Sequence, residues 1–258
     1  MTDRDYVENP LQVLSFGAGT QSTAMLILSA EGKLPKPDLV MFADTGTETQ
    51  ATYRHVHEWA IPFCADHEIP FEIVQSTHGK LHDFYLERRN IPMVGIAKCT
   101  KDFKITPMRQ RLREIVGRKN GKCLVNCWIG ITTDEAGRRH PGDVKWVVNT
   151  YPFLDRLDMT RRQCIQLLAD RGVKVGKSGC WLCPYQPKRE WMKLRRSDPD
   201  LFEHAAKMEE AVDERLQENG RRLRVGFMGD QVRLRELGQI PDLWSFEDKA
   251  CDSGSCFI

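Results

Sequence analysis

Cys180 and Cys183 form the strongest local chemical signal in this sequence of 258 residues. Two thiolates separated by two residues can hold one metal ion or one corner of an iron–sulfur cluster. A complete site needs four ligands, so further members of the nine cysteines would have to contribute. In a reducing compartment, such cysteine usage favours metal or redox chemistry over disulfides. The spacing fits iron–sulfur and zinc equally, and free or redox-active thiols are the third interpretation.

A second candidate site is the segment Gly17–Thr23, which follows an apolar run and precedes a helical pattern. Its small residues allow backbone amides to approach an anion closely, and Ser22 and Thr23 add hydroxyl groups. The N-terminus of a helix also favours a phosphate. The segment is not a Walker A loop, because no lysine precedes Ser22, and it is not a G-x-G-x-x-G fingerprint. The alternative interpretation is a tight strand-to-helix turn without a ligand.

Apolar runs that alternate with helical patterns must position these residues. Strands are predicted at 11–16, 39–43, 71–74, 127–131 and 144–148, and helices at 21–31, 49–67 (kinked at Pro62), 105–116, 159–171 and 199–218. This alternation predicts a parallel sheet with helices on both faces. Ligands bind at the carboxyl ends of such strands, so residues 15–22, 44–48 and 132–139 are expected on one rim.

The composition is that of a globular chain, with 41% hydrophobic and 29% charged residues. No apolar stretch approaches the roughly 20 residues of a membrane-spanning helix, and the first ten residues lack an apolar signal region. A cytoplasmic location without a membrane partner is therefore expected. The pattern changes near residue 173, which predicts an α/β domain over 1–173. A smaller, mostly helical region with the Cys-x-x-Cys and a cysteine tail is predicted over 174–258.

The net charge of +2 conceals an uneven distribution of charged residues. Residues 88–122 and 156–196 each contain eleven Lys or Arg, against two and three acids respectively. Residues 198–218 reverse this balance with eight acids against two cations. These segments are either solvated helix faces or a basic surface that suits a polyanion such as DNA or RNA.

The glycine segment resembles the PP-loop of ATP pyrophosphatases, which is usually written S-G-G-x-D-S. In this alignment, Gly17 replaces the first serine and Gln21 replaces the aspartate. The variant is similar to phage and bacterial proteins of the PAPS reductase-like branch, which is related to DndC-like proteins and sulfonucleotide reductases. Four later elements resemble that branch in the same order: Phe42–Glu48 (D-T-G-x-E), Cys99–Pro107 (Cys…Lys…Pro), Ile129–Arg139 and Gly179–Pro184. The resemblance spans most of residues 11–190.

The resemblance implies a HUP-type, Rossmann-like fold, with a five-stranded parallel sheet and an adenine nucleotide on its rim. The nucleotide would be ATP with Mg²⁺, or APS or PAPS. The implied nucleotide-binding residues are Ser15, Gly17, Ala18, Gly19, Thr20, Gln21, Ser22, Asp44, Thr45 and Gly46. The implied catalytic residues are Lys104, Arg138, Arg139 and Cys256. The three cations would offset the charge that develops on a departing pyrophosphate or sulfate.

The related proteins also pair an upstream cysteine with a later Cys-x-x-Cys, which makes Cys99 the expected third metal ligand. The fourth would come from Cys256 or Cys251 in the tail, with Cys123 and Cys127 as weaker alternatives. The predicted ligand set is Cys99, Cys180, Cys183 and Cys256. On the resemblance, this set would hold a [4Fe–4S] cluster, with Zn²⁺ as the alternative.

Three functional hypotheses follow. The first is an enzyme that adenylates its substrate, releases pyrophosphate and transfers sulfur to DNA or RNA, with a sulfur-donor protein as a further partner. The second is an APS or PAPS reductase, although the tail lacks the Glu-Cys-Gly-x-His pattern of those enzymes. The third is a metal-stabilised nucleic-acid-binding subunit of a modification or defence complex, which the replacement by Gln21 favours. An oligomer is compatible with each hypothesis.

Overall fold

Five parallel strands form one sheet at the centre of the molecule. The computed structural model describes residues 6–96, 98–117, 122–142, 144–221, 225–228 and 232–237. The strands are β1 (Tyr6–Ser15), β2 (Leu39–Asp44), β3 (Phe71–Gln75), β4 (Cys123–Trp128) and β5 (Val147–Thr150). They are arranged in the order β3-β2-β1-β4-β5, and all pairings are parallel. This arrangement confirms the predicted fold class.

The helices follow the strands along the chain. They are α1 (Thr20–Ala30), α2 (Gln50–Arg54), α3 (Ile61–Asp66), α4 (Leu81–Glu87), α5 (Lys98–Thr100), α6 (Thr106–Val116), α7 (Arg161–Asp170), α8 (Lys188–Ser197) and α9 (Pro199–Glu218). Short π-helical and 3₁₀ turns occur at His55–Ala60, Lys101–Ile105, Thr133–Arg138, Phe153–Leu157 and Leu234–Glu236. None of the described helices combines the length and hydropathy that a bilayer-spanning segment requires.

Each face of the sheet has its own apolar core. Side chains alternate between the two faces along β1. Leu14 lies on one face and packs with α1, α3 and α7, whereas Val13 lies on the other face and packs with α6. Both of these side chains are fully buried. A strand buried on both faces must be apolar at successive positions, which explains the uninterrupted apolar run in β2.

A third core lies in the C-terminal part of the chain. Trp191 of α8 and Phe202 of α9 pack there with Phe227. The same cluster also contains Phe84 of α4 and Phe103, from the part of the chain before residue 173. The division at residue 173 therefore stays a prediction, and the third core draws on both of its proposed parts.

Three strands differ from their predicted positions. Strand β1 begins at Tyr6 rather than at residue 11. The fourth strand, predicted at 127–131, is β4 (Cys123–Trp128), and the chain turns after it, with the Ile131 amide donating to the Ile129 carbonyl. Strand β5 begins at Val147 rather than at residue 144. The helix predicted over 49–67 contains a π-helical turn at His55–Ala60, and Pro62 lies in the first turn of α3 directly after it. The kink at Pro62 stays a prediction.

An ion pair joins the ends of α1 and α7. Arg171 binds Glu31 through two guanidinium nitrogens, one of them 2.8 Å from Oε2, and lowers the pKa of Glu31 to about 2. Because the folded-state pKa lies below the ordinary value of 4.5, the pair stabilises the protein above pH 4.5 and loses this effect as the pH falls towards 2.

We expect Glu31→Gln to lower the free energy of unfolding by about 0.2–1 kcal/mol at pH 7, the range for exposed ion pairs. The loss should be smaller at pH 3. Urea unfolding at both pH values measures it, with Glu58→Gln on an exposed helical position as the control. An equal loss at both pH values would contradict the role of this ion pair.

Candidate functional site

The loop between β1 and α1 is shaped for an anion. The Gly19 amide donates to the Ser22 hydroxyl oxygen at 3.2 Å, and the Ser22 hydroxyl donates back to the Gly19 carbonyl at 3.2 Å. Ala18 has φ 54°, a left-handed conformation that is uncommon for alanine. The first amides of a helix have no acceptor within the helix, so they face outward and favour negative charge. The segment of residues 17–22 is called the PP-loop below.

Two cavities open on the PP-loop. The loop cavity, of about 430 Å³, lies between the PP-loop, the residues after β4 and the start of α7. The thiol cavity, of about 400 Å³, lies between the ends of β1 and β2, the α6 region and the segment that contains Cys180 and Cys183. Residues that line both cavities are Ser15, Gly17, Gly176, Lys177, Ser178 and Glu190. The two cavities therefore meet at the PP-loop.

Cations surround the PP-loop in the loop cavity. Arg138, Arg161 and Lys177 line this cavity together with Gln21. Glu135 holds two of these side chains. Its carboxylate accepts a hydrogen bond from the side-chain amide of Gln21 at 3.0 Å and pairs with the guanidinium group of Arg138 at 2.9 Å. Burial raises the pKa of Glu135. The loop cavity thus combines helix amides with fixed cations, which suits a polyphosphate.

Gly130 permits this arrangement, because the chain after β4 lies directly against the PP-loop. A Cβ atom at Gly130 would lie 2.9 Å from the Gln21 Cβ and 3.3 Å from the Ser22 nitrogen. Any larger residue would therefore push the two loops apart. The sequence contains Gly130 within the matched Ile129–Arg139 segment, but no local pattern identified its role.

The thiol cavity has an apolar wall and a buried ion pair. Phe16, Phe42 and Met108 form part of its wall. Lys104 Nζ lies 3.5 Å from Glu48 Oε1, and their side chains are only 13% and 3% exposed. An apolar cavity with a few fixed charged groups is the usual form of a small-molecule site.

Hydroxyl groups connect Glu48 to the cysteine segment. The Thr45 hydroxyl donates to Glu48 at 2.9 Å, Thr45 Oγ1 lies 2.8 Å from Thr47 Oγ1, and Thr47 Oγ1 lies 2.8 Å from Cys180 Sγ. The backbone adds a bond of 2.9 Å from the Trp181 amide to the Thr47 carbonyl. Burial and the nearby Glu48 carboxylate raise the pKa of Cys180. The segment after β2 and the cysteine segment therefore form one hydrogen-bonded unit.

Asp44 holds the segment after β2 in place. Its carboxylate accepts from the Gly46 amide at 2.8 Å, the Tyr53 hydroxyl at 2.7 Å and the Gln75 amide at 2.9 Å. Asp44, Thr45 and Gly46 line neither the loop cavity nor the thiol cavity. They instead help to position Thr47 and Glu48, which follow them in the chain and form hydrogen bonds with Thr45.

The three cations predicted from the sequence lie in different places. Lys104 lines the thiol cavity and Arg138 lines the loop cavity. Arg139 lines neither cavity, since it pairs with Asp155 at 3.0 Å and its side chain is 56% exposed. Arg161 and Lys177 also line the loop cavity and were not predicted from the sequence, although both belong to the basic segment 156–196.

Three of the four predicted metal ligands lie within the described residues. Cys180 and Cys183 line the thiol cavity and Cys99 does not, but Cys99 and Cys180 pack against the same C-terminal core. Burial raises the pKa of Cys99. Within the ranges that the structure describes, no three Cys, His, Asp or Glu side chains converge on a common point. Cys251 and Cys256 lie outside these ranges. The described residues do not form a cluster site by themselves, and the four-cysteine set stays a prediction.

Sequence comparisons identify two uncharacterized relatives, while no protein-family model matches the chain. A nin region protein of Escherichia phage lambda is 30% identical over 152 residues, which are 51% of this chain and 51% of that protein. A protein of Methanocaldococcus jannaschii is 23% identical over 201 residues, which are 73% of this chain and 45% of that protein. The chain spans about half the length of the curated relatives it matches.

Solved structures with a similar fold include three enzymes. A phosphoadenylyl-sulfate (PAPS) reductase from Candida auris, in a phosphate complex, has TM-score 0.46 and 13% identity, over 67% of this chain and 83% of that chain. A tRNA thiolase from Methanococcus maripaludis with its [4Fe–4S] cluster has TM-score 0.47 and 18% identity, over 82% and 74%. An NH₃-dependent NAD synthetase from Campylobacter jejuni has TM-score 0.38 and 12% identity, over 83% and 88%. The strand order β3-β2-β1-β4-β5 agrees with the predicted Rossmann-like fold.

Gly130→Ala tests the close contact between the two loops. We expect a loss of about 1–3 kcal/mol in the free energy of unfolding, the usual cost of overpacking, because the new methyl group meets Gln21. Gly137→Ala is the control, since no heavy atom lies within 4 Å of a Cβ at that position. Thermal or urea unfolding measures both, and equal effects of the two substitutions would contradict the account of the contact.

Proposed function

We propose that this protein binds ATP on the PP-loop and activates an acceptor by adenylation, with release of pyrophosphate. The observation that carries the proposal is that two cavities of different chemistry meet at one helix-terminal loop. The loop cavity offers amides and cations, and the thiol cavity offers an apolar wall. A nucleotide has the same division into a charged and a less polar part.

The phosphates lie in the loop cavity under this proposal. Amides at the start of α1 and the guanidinium groups of Arg138 and Arg161 neutralise their charge. Glu135 keeps Gln21 and Arg138 in fixed positions before the nucleotide enters, so little reorganisation is needed at binding. Mg²⁺ would accompany the nucleotide as part of the substrate.

The adenosine lies against the apolar wall of the thiol cavity under this proposal. Phe16 and Phe42 supply flat apolar surfaces there, and the cavity volume of about 400 Å³ falls in the range of small-molecule sites. Lys104 lies in the same cavity, with its charge balanced by Glu48.

The chemical step transfers the adenylyl group. An acceptor oxygen forms a bond to the α-phosphorus, the bond from that phosphorus to the oxygen bridging to the β-phosphate breaks, and pyrophosphate leaves with the electron pair. Negative charge grows on the leaving pyrophosphate, which the cations of the loop cavity stabilise. The reaction needs no oxidant or reductant.

Hydrosulfide then forms a bond to the activated acceptor carbon, the bond from that carbon to the AMP oxygen breaks, and AMP leaves with the electron pair. The hydrosulfide is released when a second thiol attacks the persulfide of the sulfur donor and forms a disulfide with it. Cys183 lines the same cavity as Lys104, which supports delivery of sulfur there from a persulfide that a sulfur-donor protein supplies. The exposed Arg189, Lys193 and Arg196 of α8 support a nucleic acid as the acceptor, because they add positive charge beside the thiol cavity.

The nucleotide step is tested by calorimetry with ATP and by an assay for pyrophosphate. We expect Arg138→Gln to weaken ATP binding by about 10-fold or more, since a charge-assisted hydrogen bond contributes about 1.5–3 kcal/mol. Arg139→Gln is the matched control and should bind as the unsubstituted protein does, because Arg139 pairs with Asp155 outside both cavities. Absence of ATP binding, or release of sulfite from PAPS without pyrophosphate release from ATP, would contradict the proposal.

The predicted cluster is tested by anaerobic purification and metal analysis. The proposed ligands Cys99, Cys180, Cys183 and Cys256 predict about four irons and four sulfides per chain, with absorbance near 400 nm. Cys183→Ser should lower the iron content. Cys64→Ala should not, because Cys64 is buried in the core on the Leu14 face of the sheet. Zinc alone, or no bound metal, would contradict the cluster and leave the adenylation step unaffected.

A further inference from the structure

A short segment before Cys180 lies against the PP-loop. Residues 175–179, called the strap, bring Ser178 so close to the start of α1 that a Cβ on Gly19 would lie 2.7 Å from the Ser178 hydroxyl oxygen. The strap is fixed at its end, where the Gly179 carbonyl accepts from the Thr49 amide at 2.9 Å. Contacts within the chain therefore hold the strap next to the PP-loop.

Lys177 lies on this strap at the junction of the two cavities. Arg138 and Arg161 line only the loop cavity, and Lys104 and Lys193 line only the thiol cavity. Among the lining residues that the structure describes, Lys177 is the cation common to both. A nucleotide that extends from one cavity to the other must pass this side chain.

A ligand can replace Glu190 as the ion-pair partner of Lys177. Lys177 Nζ lies 3.8 Å from Glu190 Oε1, and the two side chains are 34% and 21% exposed. An ion pair this long and this accessible to water contributes little free energy, so a doubly charged phosphate competes for the lysine. Glu190 lies in the first turn of α8, where the helix terminus stabilises its carboxylate after the exchange.

We propose that Lys177 binds the phosphates at the bond that breaks, and that Glu190 holds the lysine until the nucleotide arrives. This inference rests on the proposed nucleotide function. The reacting α-phosphorus joins the adenosine part to the pyrophosphate part, so it lies where the two cavities meet. A cation at this point stabilises the charge that develops on the bridging oxygen as pyrophosphate leaves.

The carboxylate of Glu190 has the opposite effect on an anion. It lines both cavities and repels a phosphate that approaches Lys177. Removing its charge should therefore strengthen anion binding, whereas removing the charge of Lys177 should weaken it. These opposite signs distinguish an exchange pair from a pair that only stabilises the fold.

The experiment measures binding of inorganic pyrophosphate and of ATP by calorimetry in five proteins: the unsubstituted chain, Lys177→Gln, Lys177→Arg, Glu190→Gln and Lys174→Gln. Lys177→Gln should weaken pyrophosphate binding by about 10-fold or more, as expected for a lost charge-assisted hydrogen bond. Glu190→Gln should strengthen it severalfold. Lys174→Gln, on an exposed neighbouring lysine, should leave it unchanged. Lys177→Arg, which keeps the charge, should retain most of the affinity, and circular dichroism establishes that each variant is folded.

The outcomes separate this inference from the proposed function. If the unsubstituted protein binds ATP but Lys177→Gln binds pyrophosphate as tightly as Lys174→Gln does, the role of Lys177 is wrong while the nucleotide function stands. If Glu190→Gln weakens binding, the exchange is wrong. If the unsubstituted protein binds neither ATP nor pyrophosphate, the proposed function itself fails.

Discussion

The hydrogen bond from Gln21 to Glu135 couples the two loops on which the candidate site depends. Gln21 belongs to the PP-loop after β1, and Glu135 belongs to the segment after β4, the neighbouring strand in the sheet. Parallel strands end on the same edge, so these two loops must share one rim. Glu135 also pairs with Arg138, and the single carboxylate therefore positions an amide and a cation on the same cavity.

This coupling gives a physical reason for the departure from the usual PP-loop sequence. An aspartate at position 21 would add a second negative charge near the Glu135 carboxylate, and like charges close together repel each other. Glutamine keeps a donor at that distance and carries no charge. The glutamine at position 21 and the carboxylate of Glu135 are therefore complementary to each other.

The sequence predicted the layers of the fold well because the strands of a covered parallel sheet are nearly continuous apolar runs. The runs around Leu14 and Val40 are of this kind, and both residues are buried in the sheet. The fourth strand was predicted to end at residue 131, but β4 ends at Trp128. The prediction ran too far because Ile129 and Ile131 continue the apolar pattern after the chain has left the sheet. Periodicity does not reveal where a run of apolar residues stops pairing.

The candidate site was predicted only in part, because its parts lie far apart in the chain. The PP-loop has a recognisable local sequence, but Arg161, Lys177 and Glu190 reach it through tertiary packing that no short motif records. Arg138 and Arg139 are adjacent in sequence, yet the pairing of Arg139 with Asp155 directs it away from both cavities. The roles of such neighbours depend on which ion pairs form, and this is a property of the fold.

A crystal structure with a non-hydrolysable ATP analogue and Mg²⁺ tests the central claim most directly. The account predicts phosphate oxygens within hydrogen-bond distance of the backbone amides of residues 17–22, with the adenine beside Phe16 and Phe42 in the thiol cavity. An analogue bound elsewhere, or crystals that leave the PP-loop without a phosphate at a saturating concentration, would contradict it.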